Sequence, residues 1–147
     1  MSVGSVSGCV FCAIVAGAAP AAIVHEDETA MAFLDLRQAV PGHVLVVPRA
    51  HVPDIYALDE ATAAHLMALA VRIAKALAAD GVPDGLNLWQ SNGEAGGQEV
   101  PHVHLHVHPR RHGDGLLDVY PCGVPTPADY ATLHALAHTI AARLSAS

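Results

Sequence analysis

Four of the chain's eleven histidines lie at every second position of the segment QEVPHVHLHVHPR, which covers residues 98–110. Valine, leucine and valine fill the positions between them. Successive side chains of a β-strand point to opposite faces of the sheet, so the pattern predicts a strand with hydrocarbon on one face and a row of imidazoles on the other. An imidazole can act as a nucleophile and can exchange a proton near neutral pH, so this row could carry out chemistry.

Three interpretations of the imidazole row are open: a solvated face, a metal site and a catalytic site. Lysine, threonine or glutamate would serve a solvated strand face better, because crowded imidazoles repel one another once protonated. Neighbouring side chains on one strand diverge and rarely complete a tetrahedral shell, which disfavours a metal site built from these histidines alone. The residue types favour catalysis, in which one histidine attacks while its neighbours orient it and bind oxyanions.

Cys9 and Cys12 form a C-x2-C pair in the N-terminal segment, residues 1–20. Two thiolates at this spacing supply half of a tetrahedral zinc shell, and two imidazoles can complete it. A redox pair normally follows a strand and opens a helix, and no strand is predicted before this pair. Two inert thiols are the remaining alternative. Cys122 is predicted to be an ordinary thiol, because three cysteines do not make the disulfide framework of a small secreted protein.

The formal net charge of −7 and the lack of a basic stripe argue against binding to nucleic acid or to an anionic membrane surface. A chain of 147 residues predicts one domain that can bury a core without disulfides. Residues 1–24 carry no charged side chain, but they lack the positive start of a secretory signal. Their apolar run is also too short, and interrupted by Pro20, to span a bilayer. We therefore expect a cytoplasmic protein.

The elements that must position these side chains follow from periodicity and turn residues. A short helix is predicted over the C-x2-C segment, two strands surround the polar EDET turn, and a third strand lies between Pro41 and Pro48. The clearest helical periodicity follows, with Asp59 as N-cap and Gly81 at its C-terminal stop. LNLWQ and the histidine segment are the next two strands.

A C-terminal helix is predicted over residues 126–147, with Thr126 as its cap and Pro127 at its first position. Its apolar stripe is expected to be buried and consists of Leu133, Leu136, Ile140 and Leu144. Short turns join several strands, so the predicted fold class is α+β. We expect an antiparallel sheet of about five strands, packed by the long helix, the short N-terminal helix and the C-terminal helix, in a single domain over residues 1–147.

The segment NGEAGGQEVPHVHLHVHPR resembles the signature of the histidine triad superfamily, which is His-x-His-x-His followed by two mostly apolar residues and preceded by Gly-Gln. The segment CVFCAIVAGAAPAAIVHEDETAMAFLDLRQAVPGHVLVVPRAHV is similar to the N-terminal half of that family, so the resemblance runs through most of the chain. It implies a nucleotide hydrolase or transferase of the small Hint-like branch, acting at the α-phosphate of a nucleoside phosphoramidate or phosphate ester.

The resemblance implies that His104, the middle histidine, is the nucleophile. It would form a covalent nucleotidyl-histidine, from which water or another acceptor releases a nucleoside monophosphate. A backbone carbonyl that accepts from its other ring nitrogen would fix the tautomer. His106 and His43 would contact the phosphate, and Gln98 and Asn92 would supply amide donors. The implied catalytic set is His102, His104, His106 and Gln98.

The nucleotide is implied to be a purine nucleotide such as AMP or GMP. Backbone N–H groups near Glu99 and Val100 would complete the phosphate cradle. Asp35 matches the carboxylate that binds the ribose hydroxyls. Phe33 and Leu34 would line the base pocket, and Leu36 is a further candidate.

The resemblance also implies a structural zinc ion and no organic cofactor. Its ligands would be Cys9, Cys12, His51 and His102, so the first triad histidine would anchor the strand that carries His104. The family usually forms homodimers, and that state is expected here by resemblance alone.

Two positions depart from the family pattern. Glu99 stands where many members have serine or threonine, and His108 stands where an apolar residue is usual. A carboxylate beside a phosphate is unfavourable unless it turns away or is protonated, and no role is assigned to His108. Two alternatives are open: a dinucleoside polyphosphate hydrolase of the fragile-histidine-triad type, which the PRRHGD tail resembles, and a non-catalytic nucleotide-binding regulatory module.

Overall fold

The computed structural model describes residues 6–79, 81 and 83–147. The chain forms two compact units, the first ending at Asp114 and the second spanning Gly115–Ser147. The first unit contains α1 (Val10–Val15), β1 (Ile23–Glu26), β2 (Ala30–Leu34), β3 (Val44–Pro48), α2 (Glu60–Ala79), β4 (Gly85–Trp89) and β5 (Leu105–Arg110). The second unit contains α3 (Tyr130–Ser145). The predicted order of helices and strands and the α+β class are confirmed.

The five strands form one antiparallel sheet in the order β1-β2-β3-β5-β4. The alternation of side chains along the strands separates the core into two parts. One sheet face packs against α1 through Met31, Phe33, Leu45 and Val47. The opposite face packs against α2 through Ala30, Ala32, Val44, Val46, Val103 and Val107. The histidines that alternate with Val103 and Val107 therefore lie on the face that α1 partly covers.

The long helix α2 begins where it was predicted to begin. The Asp59 carboxylate accepts the N–H of Thr62 at 2.8 Å, which caps the helix. Its length and composition alone would allow it to cross a membrane. Its buried residues Leu66, Leu69 and Ile73 instead belong to the core cluster on the sheet, as expected for a core helix of a globular domain.

The histidine segment joins the sheet later than predicted, because β5 begins at Leu105. His102 and His104 precede the ladder. The N–H of His102 donates to the carbonyl of Val100 at 2.8 Å, and the N–H of Val103 donates to the carbonyl of Val52 at 2.7 Å. Beyond this local turn the ring of His102 lies against the sulfurs of Cys9 and Cys12 beside α1, whereas His106 and His108 belong to the strand itself.

The predictions for the C-terminal helix are wrong in two respects. Asp129 caps α3 by accepting the N–H of Thr132 at 3.0 Å, so Thr126 and Pro127 lie before the helix. No residue of α3 is buried. The exposed fractions of its apolar stripe run from 44% at Leu133 to 74% at Leu144. Within residues 115–147, all of which are described, α3 is the only helix, so that unit offers no second element on which to bury the stripe.

Asp27 connects the turn between β1 and β2 to α2. Its Oδ1 accepts the N–H groups of Thr29 and Ala30, both at 2.8 Å. Its Oδ2 lies 3.0 Å from Nε2 of His25 and 2.8 Å from Nε2 of His65. Partial burial raises the pKa of Asp27, but the two N–H donors and the two imidazoles outweigh burial and hold that pKa well below its usual range.

Replacement of Asp27 by asparagine is expected to lower the free energy of unfolding by about 1–3 kcal/mol at pH 7, because the donors lose a charged acceptor. A carboxyl group whose pKa is depressed in the folded state contributes stability above its unfolded pKa, which is about 4, and loses that contribution as the pH falls towards the folded pKa. The stability difference between wild type and variant should therefore shrink from about pH 5 downwards. Denaturant titrations at neutral and acidic pH measure this difference, with Glu28→Gln in the same turn as control. A difference that does not change with pH would contradict the assignment.

Candidate active site

A cavity of about 770 Å³ opens on the α1 face of the sheet. Its lining residues are Val10, Phe11, Ile14, Ala19, Pro20, Ala21, Phe33, Leu34, Asp35, Leu36, Arg37, Ala39, His43, Leu45, Trp89, Gly97, Glu99, Val100, His104, His106 and His108. The cavity therefore brings together most of the nucleotide-binding residues expected from the sequence. Among the residues expected to be catalytic or to bind the nucleotide, Gln98, Asn92 and His102 do not line it.

His104 is held in an orientation suited to nucleophilic attack. Its Nδ1 lies 2.7 Å from the carbonyl oxygen of His102. A carbonyl can only accept, so Nδ1 carries the hydrogen and Nε2 keeps its lone pair. The ring of Phe11 meets the imidazole edge to face, with centroids 5.1 Å apart. The side chain is 5% exposed, so the ring is fixed on two sides and largely shielded from water.

His43 and His106 form a hydrogen-bonded pair, called the dyad below. Nε2 of His43 lies 2.9 Å from Nδ1 of His106, and the two ring planes differ by 25°. Nδ1 of His43 lies 3.4 Å from the carbonyl oxygen of Arg37 and 3.8 Å from Oδ2 of Asp35. When protons occupy Nδ1 of His43 and the bond between the rings, Nε2 of the neutral His106 carries no hydrogen, and it becomes an N–H donor for an anion only when the dyad takes up a further proton.

The protonation of the dyad depends on its surroundings. Burial, together with the nearby His104 and His43, lowers the pKa of His106 to about 3. Burial also lowers the pKa of His43, although Asp35 opposes this shift. Without a bound anion, the dyad is therefore uncharged at neutral pH. An anion beside it favours an added proton, so anion binding and proton uptake are coupled at this site.

Gln38 organises the loop that carries His43 and Asp35. Its Oε1 accepts the N–H groups of Gly42 and His43 at 2.8 and 3.1 Å. Its Nε2 donates to the carbonyls of Asp35 and His43 at 2.7 and 2.9 Å. Gly42 has a φ of 109°, a conformation that favours glycine, and an added Cβ would lie 2.8 Å from a methyl of Leu77. The loop is therefore rigid where it presents His43.

The other end of the cavity is apolar. Phe33 is buried against Phe11, with ring centroids 5.5 Å apart. Leu34 and Leu36 line the rim, and Leu36 is 98% exposed. Asp35 lies between this apolar end and the dyad, and its Oδ1 accepts the N–H of Arg37 at 2.7 Å. A flat apolar ligand with a polar group near Asp35 and an anionic group near the dyad would match the cavity.

Gln98 and Asn92 hold the loop before the histidine segment. Gln98 donates from Nε2 to the carbonyl of Pro53 at 2.7 Å and accepts the N–H of Gly93 at 2.9 Å. Asn92 accepts the N–H of Ile55 at 2.7 Å and exchanges hydrogen bonds with Gln90. Both side-chain amides therefore use their hydrogen bonds to hold the loop.

Glu99 is paired with Arg37 at the rim of the cavity. The Arg37 Nη1 and Glu99 Oε2 atoms are 3.2 Å apart, and the side chains are 85% and 77% exposed. Such an exposed pair contributes little stability and opens readily. The carboxylate that departs from the family pattern thus has a cationic partner.

Sequence reasoning missed three residues of this site: Trp89, His108 and Gln38. Trp89 and His108 line the cavity beside the dyad. The alternation of the histidine segment placed His108 on the same face as His106, which was the available signal. The signal for Trp89 was the unusual aromatic residue at the end of the strand LNLWQ.

A second cluster consists of Cys9, Cys12, His51 and His102, the four residues expected to bind zinc. Nδ1 of His102 lies 3.5 Å from Sγ of Cys9 and 3.6 Å from Sγ of Cys12. Nδ1 of His51 lies 3.3 Å from Sγ of Cys12. In a tetrahedral zinc shell the sulfur and nitrogen ligands lie about 3.5 Å apart, which follows from Zn–S of about 2.3 Å and Zn–N of about 2.0 Å.

The hydrogen bonds of His102 also fit metal binding. Its Nε2 lies 2.9 Å from the carbonyl oxygen of Pro48, so Nε2 carries the hydrogen and Nδ1 directs its lone pair at the two sulfurs. His102 is fully buried, and the two cysteines are 8% and 5% exposed. The donor set, its spacing and the tautomer of His102 therefore fit a zinc ion with four protein ligands.

Comparison with known proteins gives a consistent result. A family model described as the HIT domain matches residues 16–113. A Bacillus subtilis protein named Protein hit is 42% identical over 109 residues, which cover 74% of this chain and 75% of that protein. An adenosine 5'-monophosphoramidase of Schizosaccharomyces pombe is 34% identical over 102 residues, which cover 69% of this chain and 74% of the relative.

Solved structures share the fold. A crystal structure of a HIT family protein from Bacillus anthracis superposes with a TM-score of 0.83 at 37% identity, covering 93% of this chain and 97% of that chain. A zinc-bound histidine triad family protein from Mycobacterium smegmatis superposes with a TM-score of 0.71 at 39% identity, covering 98% of this chain and all of that chain (100%).

Proposed function

This chain belongs to the HIT family, and on that premise we propose that it is a nucleotide hydrolase or transferase that acts at the α-phosphate of a nucleoside phosphoramidate or phosphate ester. The observation that carries the proposal is the orientation of His104, whose Nδ1 is bound to a backbone carbonyl while Nε2 is left as a nucleophile in the cavity. The relative from Schizosaccharomyces pombe, an adenosine 5'-monophosphoramidase, supports this class of substrate.

The reaction would proceed by two displacements at phosphorus. Nε2 of His104 attacks, a P–N bond forms to the imidazole, and the bond to the leaving group breaks as the leaving group takes up a proton. Water then attacks the nucleotidyl-histidine, the P–N bond breaks, and the nucleoside monophosphate leaves. Transfer to another acceptor differs only in the nucleophile of the second step.

The groups that would stabilise the α-phosphate surround His104. The dyad offers an N–H donor at His106 once it takes up a proton. The backbone N–H groups of Glu99 and Val100 have no hydrogen-bond partner among the described residues, and both residues line the cavity. Donors that are already aimed at the site of developing charge need no reorganisation during the reaction, which is why they lower the barrier.

The remainder of the cavity suits a purine nucleoside such as that of AMP or GMP. Phe33, Leu34 and the residues of α1 supply the apolar walls for a base, and Asp35 lies where ribose hydroxyls would donate. In this proposal the groups that bind the phosphate, the ribose and the base would follow one another along the cavity.

We further propose that Cys9, Cys12, His51 and His102 hold a structural zinc ion. The neighbour from Mycobacterium smegmatis is zinc-bound, which supports this proposal. Burial raises the pKa of the Cys12 thiol, and the adjacent Cys9 raises it further, so a bound cation would favour the thiolate form of Cys12. The ion would supply a cross-link between α1 and the segment before β5. His102 also contributes the carbonyl that holds His104, so this cross-link would support the nucleophile.

A substrate panel with rapid quenching in alkaline denaturant, which preserves a P–N bond, tests the function. The protein is incubated with an adenosine phosphoramidate, an AMP ester and a dinucleoside polyphosphate, and the products and the quenched protein are analysed by mass spectrometry. We expect AMP from the phosphoramidate and one nucleotidyl group on the peptide that contains His104. Preference for the dinucleoside polyphosphate would favour the fragile-histidine-triad alternative. Binding of AMP without turnover of any substrate would favour a regulatory module.

Replacement of Glu99 by serine is expected to raise kcat/KM on an anionic substrate by about two- to tenfold. The variant removes a negative charge at the rim and supplies a hydroxyl that can help the leaving group. Steady-state kinetics at two salt concentrations measure the effect, because a charge effect at an exposed rim should weaken with salt. Glu94→Ser, in the same loop but outside the cavity lining, is the control. A lower kcat/KM for Glu99→Ser would show that the carboxylate itself assists the reaction.

A further inference from the structure

Trp89 and His108 cover the two rings of the dyad. The indole of Trp89 stacks on His106, with centroids 4.3 Å apart and planes 9° from parallel. The ring of His108 lies 4.3 Å from that of His43, at an interplanar angle of 39°. Each dyad imidazole therefore has one aromatic neighbour against its face, in addition to the hydrogen bond that joins the two imidazoles.

The strand register produces this arrangement. The β4–β5 ladder pairs Trp89 with His106. The β3–β5 ladder pairs Val44 with Val107, so the next positions along the two antiparallel strands place His43 beside His108. Side chains of directly opposed residues on one sheet face are close enough to touch, so both contacts are built into the sheet.

His108 is itself fixed in place. It is 5% exposed, and its Nδ1 donates to the carbonyl of Pro109 at 2.6 Å. An aliphatic side chain could fill the same space, but it would offer no flat face to His43. It would also lack the hydrogen bond that fixes the orientation of the His108 ring. Trp89 is similarly constrained, because the flat stack leaves little freedom for rotation of either ring.

We propose that Trp89 and His108 are positioning residues of this site, which hold the rings of His43 and His106 nearly coplanar so that Nε2 of His106 meets the α-phosphate. The inference rests on the proposed function, since that function supplies the α-phosphate. The two residues act through the dyad and need not touch the nucleotide. A displacement of about 1 Å in a group that binds the reacting centre can reduce a rate by about 100-fold, so loss of this support has a measurable effect.

Paired titrations with adenosine and AMP test the inference, because the two ligands differ only in the phosphate. We expect Trp89→Leu and His108→Leu each to weaken AMP binding about tenfold while leaving adenosine binding unchanged. The same variants should lower kcat on the phosphoramidate more than they raise KM. Trp89→Phe keeps a flat ring and should restore most of the AMP affinity. His138→Leu, an exposed histidine in α3, is the matched control.

Each other outcome has a defined meaning. Equal weakening of adenosine and AMP would show a general packing role and overturn the inference, as would AMP affinity that is unchanged in both leucine variants. Failure of Trp89→Phe to restore AMP binding would also overturn it, because stacking would not be the cause. If wild-type protein binds AMP no more tightly than adenosine, the proposed function itself fails and the inference fails with it. Normal wild-type turnover with unaffected leucine variants rejects the inference alone.

Discussion

Replacement of His104 by alanine is expected to lower kcat/KM on an adenosine phosphoramidate by about 10⁴-fold or more, the scale of loss seen when an enzyme nucleophile is removed. The effect is large because the other imidazoles of the cavity are engaged differently: His43 and His106 bind each other, and His108, whose Nδ1 also donates to a backbone carbonyl, packs its ring against His43. Nδ1 of His104 donates to the backbone carbonyl of His102, which leaves the lone pair on Nε2 free to attack. His106 is instead bound through Nδ1 to His43, within the dyad.

The kinetic loss must be separated from unfolding, because His104 is 5% exposed and its truncation leaves a cavity. His104→Asn keeps a polar side chain of similar reach and should lose activity to the same extent. Both variants should retain cooperative unfolding and should still bind AMP, since the dyad, Asp35 and the apolar walls remain. His138→Ala controls for loss of a histidine elsewhere. Turnover by His104→Asn at more than about one tenth of the wild-type rate would refute the nucleophilic role.

The second large effect is expected at the cysteine and histidine cluster. Removal of zinc by a chelator, or replacement of Cys12 by serine, is expected to lower the free energy of unfolding by about 3 kcal/mol or more, equivalent to a fall in Tm of about 10 °C. The reason is that the four ligands come from three separate segments of the chain: the start of α1, the residues after β3 and the residues before β5. Without the ion these segments are joined only by hydrogen bonds and packing.

Cys122→Ser is the matched control for the cluster, since Cys122 is an exposed free cysteine. Its Tm should equal that of the wild type, and chelation should affect the two proteins equally. Metal analysis of the purified protein should give about one zinc per chain in wild type and Cys122→Ser, and much less in Cys12→Ser. A wild-type protein that carries zinc but keeps the same Tm after chelation would show that the ion does not support the fold.

Much of the fold could be predicted because local patterns determine it. Three such patterns act over only a few residues: the alternation of valine and histidine, the cap at Asp59 and the turn around Asp27. The structure contains the strand, the helix cap and the turn that they predict. The exposed stripe of α3 shows the limit of such patterns. Periodicity states which face of a helix is apolar, but burial depends on a neighbouring element that periodicity does not specify.

The same limit applies to the cavity. His43 and His104 were identified from their motifs, because each stands in a recognisable local context. The contacts of Trp89 and His108 depend on β5 lying between β3 and β4, and on the register of both ladders. Strand order and register are long-range properties, so residues whose roles depend on them could not be found from spacing alone.

The short helix α1 serves two sites at once. Cys9 at its N-cap and Cys12 within it belong to the cluster with His51 and His102. On the same helix, Val10, Phe11 and Ile14 form a wall of the cavity. Oxidation or alkylation of these thiols would therefore disturb, at a distance of a single helical turn, the cavity wall that the proposed function assigns to the base. If the proposed function holds, the preference for one base over another would then depend on the redox state of two cysteines that do not line the cavity.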